Sequence, residues 1–290
     1  MDNILVAIEP TDEGNHVWQI ASKVAKTHKV SPVVVNVIEP AIHVYADLNF
    51  TPLIECASDW QNALTKEHFE YFNEIAPCLK DEKDSVRVVE GNPAYEISRM
   101  AEKLDTDLIV MGLHNRRGIQ RLLGSTTHGV LNHTKRDLLA VHPETKTGDY
   151  QKIVVAVDTT DLLETVLERA KQFVQPDAVV DVVTVMVPLA TVFASPETMR
   201  WSFEELTTDV KRESKARVNA AVDKSGLDAE VTLRIGDPRE EILAAADALD
   251  ADLIIMGGNN RGVVNRTLLG STARAVLDRA PCDVLVVRPD

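Results

Sequence analysis

The chain has 290 residues, close to two domains of ordinary size, with 44% hydrophobic and 26% charged residues, so neither a disordered chain nor one oversized core is expected. Its 45 acidic against 31 basic residues give a formal charge of -14, a field that repels polyanions and disfavours a general binder of nucleic-acid backbones. No apolar run approaches the roughly 18 to 20 residues needed to cross a bilayer, the opening MDNILVAIEP lacks a basic n-region, and Cys56, Cys78 and Cys282 show no paired spacing, so a cytoplasmic protein without a membrane or nucleic-acid partner is expected.

In the first half, β-branched runs predict strands at Asn3 to Glu9, Pro32 to Ile38, Ser85 to Glu90, Asp107 to Gly112 and Asp137 to His142. Helical segments begin near Asp12, Ser58, Pro93 and Ser125, where Asp, Ser or a first-turn proline supplies the start chemistry. Runs such as LIVM and LIIM lack polar alternation, which implies burial on both faces of a parallel sheet built from βαβ units. After the second strand, residues 40–59 carry Tyr45, Leu48, Phe50, Leu53 and Ile54, apolar residues that suit either core packing or a pocket or partner surface.

The polar stretch PETKTGDYQ, Pro143 to Gln151, reads as a linker, because beyond it the chain repeats itself. ILVAIEPTD at Ile4 to Asp12 returns as IVVAVDTTD at Ile153 to Asp161. GNPAYEISRMAEKLDTDLIVMG at Gly91 to Gly112 returns without a gap as GDPREEILAAADALDADLIIMGG at Gly236 to Gly258. RLLGSTTHGVLNHTKRDLLAVHP at Arg121 to Pro143 returns as RTLLGSTARAVLDRAPCDVLVVRP at Arg266 to Pro289, with one residue of slippage. A period of half the chain means duplicated domains, 1–143 and 152–290, rather than a solenoid. The expected fold class is therefore α/β, two doubly wound five-stranded parallel-sheet domains. The counterpart of the apolar stretch is 188–202, with Val192, Phe193, Met199 and Trp201.

An open doubly wound sheet binds ligands beyond the carboxyl ends of its strands, at the switch point of strand order. In the second half that places Asp158 after the first strand, Val185 in the second, and the loop MGGNNRGVVNRTLLGST from Met256 to Thr272 after the fourth. Glycines let backbone approach a ligand, and free N–H groups ending at a helix start make a phosphate nest.

Both halves resemble universal stress protein domains, whose signature is a strand ending in Met-Gly followed by G-x2-G-x9-G-[ST] running into a helix. The resemblance implies an adenine nucleotide-binding fold of the alpha hydrolase-like kind, ATP as the cofactor with or without Mg2+, and pairing of the two halves across their fifth strands as an intramolecular pseudo-dimer, with a homodimer of whole chains left open. Gly257, Asn260, Gly270 and Ser271 carry the motif in the second half, with Met256 before it and Thr272 after it, and asparagine stands where the second glycine is usual. The first half offers Met111, Gly112, Asn115, Gly124, Ser125 and Thr126, with Val37 matching Val185 and Arg116 in a basic cluster with Arg117 and Arg121 that suits phosphate. Its loop is one residue shorter, and Glu9 replaces the aspartate. The second half is therefore the expected ATP site.

All eight histidines fall between His16 and His142, yet His128 and His133 are five apart, which does not put two metal ligands on one helix face, and no metal site is expected. No G-x-S-x-G, H-E-x-x-H or P-loop lysine is present, so no catalytic residue is assigned and at most slow ATP hydrolysis is expected. Two functional readings stand: an ATP-binding stress-response regulator or protective factor, and a nucleotide-free interaction module that docks partners or apolar ligands through 40–59 and 188–202.

Overall fold

Each half opens on a short strand of β-branched and small residues, β1 (Ile4–Ala7) in the first and, after the linker, its repeat Lys152–Val157 in the second. In this computed structural model the described residues are 1–40, 51–76, 85–113, 124–146, 148–188, 200–258 and 269–289; within them, 51–61 and 200–207 are described by backbone alone. The described residues through Pro143 form one unit, and those from Glu144 onward form a second.

In the first unit β1 is followed by α1 (Asp12–His28), β2 (Val33–Ile38), α2 (Thr51–Ile75), β3 (Val86–Glu90), α3 (Pro93–Lys103), β4 (Leu108–Gly112), α4 (Ser125–His133) and β5 (Asp137–Val141). The second unit repeats the series as β6 (Lys152–Val157), α5 (Leu163–Lys171), β7 (Val179–Met186), α6 (Arg200–Ser225), β8 (Glu230–Ile235), α7 (Pro238–Leu249), β9 (Leu253–Gly257), α8 (Ser271–Arg279) and β10 (Asp283–Val287). Within the first unit the strands run parallel in the order β3-β2-β1-β4-β5, and within the second in the order β8-β7-β6-β9-β10. Strand order reverses beside the first strand of each unit, the doubly wound pattern that opens a crevice between β1 and β4 and between β6 and β9.

Burial on both faces explains the unbroken apolar strands. Leu108 to Met111 and Leu253 to Met256 are buried throughout, because helices cover both sides of each sheet: α3 packs against α4, α5 against α6 and α7 against α8. The N-caps of α1, α3 and α7 are Thr11, Asn92 and Asp237, each accepting from a backbone N–H of the first turn, and Pro93 and Pro238 occupy positions where a missing N–H costs nothing.

One expected helix start is corrected. α2 begins at Thr51, not near Ser58. Thr51-Pro52 puts a proline in the first turn, which is the stronger start signal, and the serine at 58 is simply carried inside the helix. Of the apolar residues in 40–59 and 188–202, Tyr45, Leu48, Phe50, Val192, Phe193 and Met199 lie outside the described residues, while Leu53, Ile54 and Trp201 fall in α2 and α6 where backbone alone is described. Tyr150 and Gln151, at the end of the expected linker, are built into the second unit: Tyr150 is buried, and the Gln151 N–H donates to Asp252 Oδ2 at 2.8 Å.

Candidate functional site

Strand register places the candidate residues. Ala7 pairs with Met111 and Ala156 with Met256, so the chain leaving each first strand passes Glu9 or Asp158 beside the Met-Gly end of the fourth. The switch point and the signature glycines thus meet in both units.

In the second unit they surround a cavity of about 510 Å3, lined by Asp158, Val185, Met256, Gly257, Gly270 and Thr272 among others. Ser271 is the exposed first residue of α8 and is not part of the lining, and Asn260 lies outside the described residues. The lining also includes Thr160, Leu162, Val187, Pro238 and Ile242, which the sequence reading missed. Pro238 was visible as the start of the helix after the third strand, and Thr160 as the second threonine of VDTTD; neither was connected to the crevice, because helix starts from three different strands converge there only in space.

Asp158 is held in a local turn. Its Oδ1 accepts from the Thr160 N–H at 3.1 Å and from the Thr160 hydroxyl. With that hydroxyl used, α5 starts later, at Leu163, and its N-cap residue Leu162 gives no side-chain cap. Gly270, the N-cap of α8, gives none either, while its own N–H reaches back to the Gly258 carbonyl at 2.8 Å. Two helix N-termini whose N-cap residues give no side-chain cap therefore belong to the elements lining this crevice, an arrangement that favours an anion. Behind the loop, a Cβ on Gly258 would stand 2.7 Å from Val286 Cγ1 and 2.9 Å from Arg288 Nη1, so only glycine lets the strand end sit against the buried Arg288.

The first unit gathers the matching residues around a much smaller space. A cavity of about 90 Å3 is lined by Glu9, Val37, Met111, Gly112, Gly124 and Thr126. Ser125 begins α4, is exposed and is not in the lining, and Asn115, Arg116, Arg117 and Arg121 lie outside the described residues. Three local differences accompany the smaller space. Thr11 caps α1 by accepting from the Gly14 N–H at 3.1 Å, so α1 begins at Asp12, whose repeat counterpart is Asp161, ahead of the point where α5 starts. The Asn36 amide donates to the Ile8 carbonyl at 2.9 Å and accepts from His68 Nδ1 at 2.8 Å, where the second unit has Thr184. The Thr127 hydroxyl donates to the Gly112 carbonyl at 2.8 Å, where the second unit has Ala273.

Several of the described histidines have hydrogen-bond partners. His16 Nε2 meets the His142 carbonyl at 3.2 Å, His133 Nδ1 donates to the Gly129 carbonyl at 2.6 Å, and His128 contacts Asn132 one turn on. Burial holds His68 below its ordinary value, against the pull of the Glu67 and Glu9 carboxylates. Among the described residues no group of three or more His, Cys, Asp or Glu side chains is placed to hold a metal ion, and Cys282 is a buried thiol pushed upward by burial. Among the described residues no helix is long and apolar enough to cross a membrane.

Fold and crevices define the class: a duplicated doubly wound α/β protein with a crevice at the switch point of each copy. The chain belongs to the universal stress protein family, whose family model matches residues 1–142 and again 149–288. Universal stress protein A homolog 1 of Coxiella burnetii is 28% identical over 139 residues, 48% of this chain and 94% of that protein. A universal stress protein of Methanocaldococcus jannaschii is 33% identical over 144 residues, 48% of this chain and 82% of that one. The crystal structure of a universal stress protein from Archaeoglobus fulgidus shares the fold over 99% of this chain and 98% of its own, with TM-score 0.68 and 21% identity. Single-domain relatives matching half the chain, beside a solved structure matching all of it, agree with the tandem arrangement.

Proposed function

We propose that this tandem universal stress protein binds an adenine nucleotide, ATP, in its second unit, and that it serves as a stress-response regulator or protective factor rather than a turnover enzyme. The observation that carries the reading is the contrast between the two crevices. About 510 Å3 falls within the roughly 300–1,000 Å3 of small-molecule sites, and about 90 Å3 falls well below it. The larger crevice also has the acid Asp158 fixed in a turn and the uncapped start of α5 among its elements, whereas α8 starts without a side-chain cap just as α4 does in the first unit.

In this reading the α8 N-terminus and the loop of Gly257, Asn260 and Gly270 take the phosphates, with Ser271 and Thr272 at the helix start, while Asp158 and Val185 take the nucleoside. Mg2+, where it accompanies ATP, neutralises phosphate charge. The first-unit residues Glu9, Val37, Met111, Gly112, Asn115, Arg116, Gly124, Ser125 and Thr126 form a weaker or silent copy of the site. A cytoplasmic location, domain limits at 1–143 and 152–290, pairing of the halves and self-association of the chain belong to the same proposal.

Isothermal titration calorimetry tests it. One ATP per chain is expected, lost in the double variant Asp158→Ala, Gly270→Val. Two sites per chain, or binding intact in that variant, would overturn the assignment.

A further inference from the structure

Strand β3 is the outer edge of the first unit's sheet, and among the described residues its outer side is a groove. The Val34 N–H donates to the Ser85 carbonyl at 2.7 Å and the Gly91 N–H donates to the Ile38 carbonyl at 3.1 Å. In a parallel ladder the residues facing the neighbour alternate, so Arg87 and Val89 complete the pairing to β2 while the backbone groups of Val86, Val88 and Glu90 turn outward. Along this edge runs an open groove of about 620 Å3, walled by α2 on one side and α3 on the other.

The walls are basic and apolar. Lys66, Arg87, Arg99 and Lys103 line the groove, Phe69 stands 45% exposed at its wall, and the described lining holds no carboxylate. Arg99 is held by Glu96 through Nε at 2.9 Å and Nη2 at 2.6 Å, with about half of its own side chain still exposed, whereas Lys66 pairs with Glu70 at 3.8 Å on the open surface, where such a pair has little strength and an incoming anion can compete for it. Arg87 rests its Nη1 3.6 Å from Met100 Sδ. Four cations on one edge stand out in a chain of formal charge -14.

Blunting the edge against aggregation does not account for them. The same edge exists in the second unit at β8, and there the repeat counterparts of Arg87, Arg99 and Lys103 are Thr232, Ala244 and Ala248. Pairing of β3 with β3 of a second copy would set these cations against themselves across a two-fold axis, which is unfavourable. A row of outward N–H and C=O groups matches a peptide backbone, not a sugar-phosphate one.

We propose that the β3 edge of the first unit is a docking site for an extended acidic peptide segment of a partner protein, which adds a strand to the sheet, sets its carboxylates against Arg87, Arg99 and Lys103, and lays an apolar side chain on Phe69. The site is separate from both switch-point crevices and stands whether or not these bind a nucleotide.

The test is fluorescence anisotropy of the full chain with a labelled heptapeptide of alternating Glu and Val, beside the same peptide with Lys for Glu. Saturable binding of the acidic peptide alone is expected, weakening as salt rises from about 50 to about 300 mM. Lys103→Glu should weaken it by about tenfold through an exposed residue that spares the fold. Val88→Pro removes an outward N–H that the pairing to β2 does not use, at an edge position where proline is tolerated, so it should abolish binding while the chain still unfolds in one cooperative transition, with Val88→Thr, which keeps the N–H, as the control that binds. Absence of saturable binding, equal binding of the basic peptide, or binding unchanged in both variants would overturn the proposal. So would a single-stranded RNA that binds the groove and survives Val88→Pro, or a dimer of the chain in sedimentation velocity that Val88→Pro dissolves.

Discussion

The Thr160 hydroxyl donates to the Asp158 carboxylate, whereas its repeat counterpart Thr11 turns its hydroxyl oxygen to the N–H of Gly14. One threonine at one position of the duplicated sequence thus closes a turn in the second unit and caps a helix in the first. The acid before it decides which: the short side chain of Asp158 reaches the N–H two residues on, and Glu9 is one methylene too long for that turn, so there the Thr11 N–H bonds the Glu9 backbone carbonyl at 2.9 Å instead.

The two threonines should therefore respond differently to the same change. Thr11→Ala removes an N-cap and is expected to cost about 1 kcal/mol of stability, read as a lower denaturant midpoint. Thr160→Ala caps no helix, so it should cost less stability and weaken ATP binding instead, by loosening Asp158. Equal loss of stability in both variants, with ATP affinity untouched, would separate the Asp158 turn from the ligand.

Gly14 sets how closely α1 approaches the first strand. A Cβ at this position would stand 2.0 Å from the Glu9 carbonyl oxygen, a backbone atom that cannot step aside. Gly14→Ala is expected to destabilise the first unit by about 1–3 kcal/mol, the usual cost of overpacking, and to push the start of α1 later, as in α5 where Leu163 occupies this place. The same change should enlarge the first crevice, and with the loss of stability known, ATP titration of the variant reads whether a tight helix start is what keeps that crevice small.

His68 gives the first unit a pH dependence. Burial lowers its pKa from the ordinary 6.5, so the folded chain binds fewer protons at this residue than the unfolded chain as the pH falls through that value. Stability should accordingly be full above the ordinary histidine range and fall on acidification through it. His68→Gln keeps a donor for Asn36 and should flatten this slope in denaturant midpoints measured between about pH 5 and pH 7.5. An unchanged slope would assign the dependence to another group.

Much of the fold was legible because the signals were doubled. The β-branched runs, the Pro93 and Pro238 starts and the Met-Gly strand ends each occur twice in register, so a local pattern that would be weak alone became strong through repetition. The start of α2 was placed too late because Ser58 offers cap chemistry of its own, while the first-turn proline of Thr51-Pro52, the stronger signal, lies in a stretch whose apolar residues suit a pocket or partner surface as well as a helix. The unequal crevices were only half visible: Glu9 against Asp158 could be read, but Asn36 meeting His68 from α2, and Thr127 meeting Gly112, are contacts between distant segments that composition and spacing do not encode. The basic edge of β3 escaped for the same reason, since Lys66, Arg87, Arg99 and Lys103 belong to three elements and become neighbours only when these pack.

Tyr150 supplies the last prediction, since it fastens the end of the interdomain segment into the second unit. Its hydroxyl donates to Asp283 Oδ2 at 2.6 Å, both residues are buried, and the Tyr150 ring lies 6.4 Å from that of Phe173. Burial raises the Tyr150 pKa well above the ordinary phenol value, with the Asp283 charge adding to it, so the hydroxyl keeps its proton and remains a donor near neutral pH. Tyr150→Phe preserves the ring and removes only that donor, leaving the buried Asp283 carboxylate one hydrogen bond short. A loss of about 1–3 kcal/mol is expected, because the cost is the desolvation of a charged acceptor rather than the worth of an average hydrogen bond. The double variant Tyr150→Phe, Asp283→Asn should recover part of the loss, since the neutral amide leaves no charge to compensate. If the double variant is instead as unstable as the sum of the single ones, Tyr150 and Asp283 act independently, and the packing on Phe173 and the Gln151 bond to Asp252 hold the segment without them.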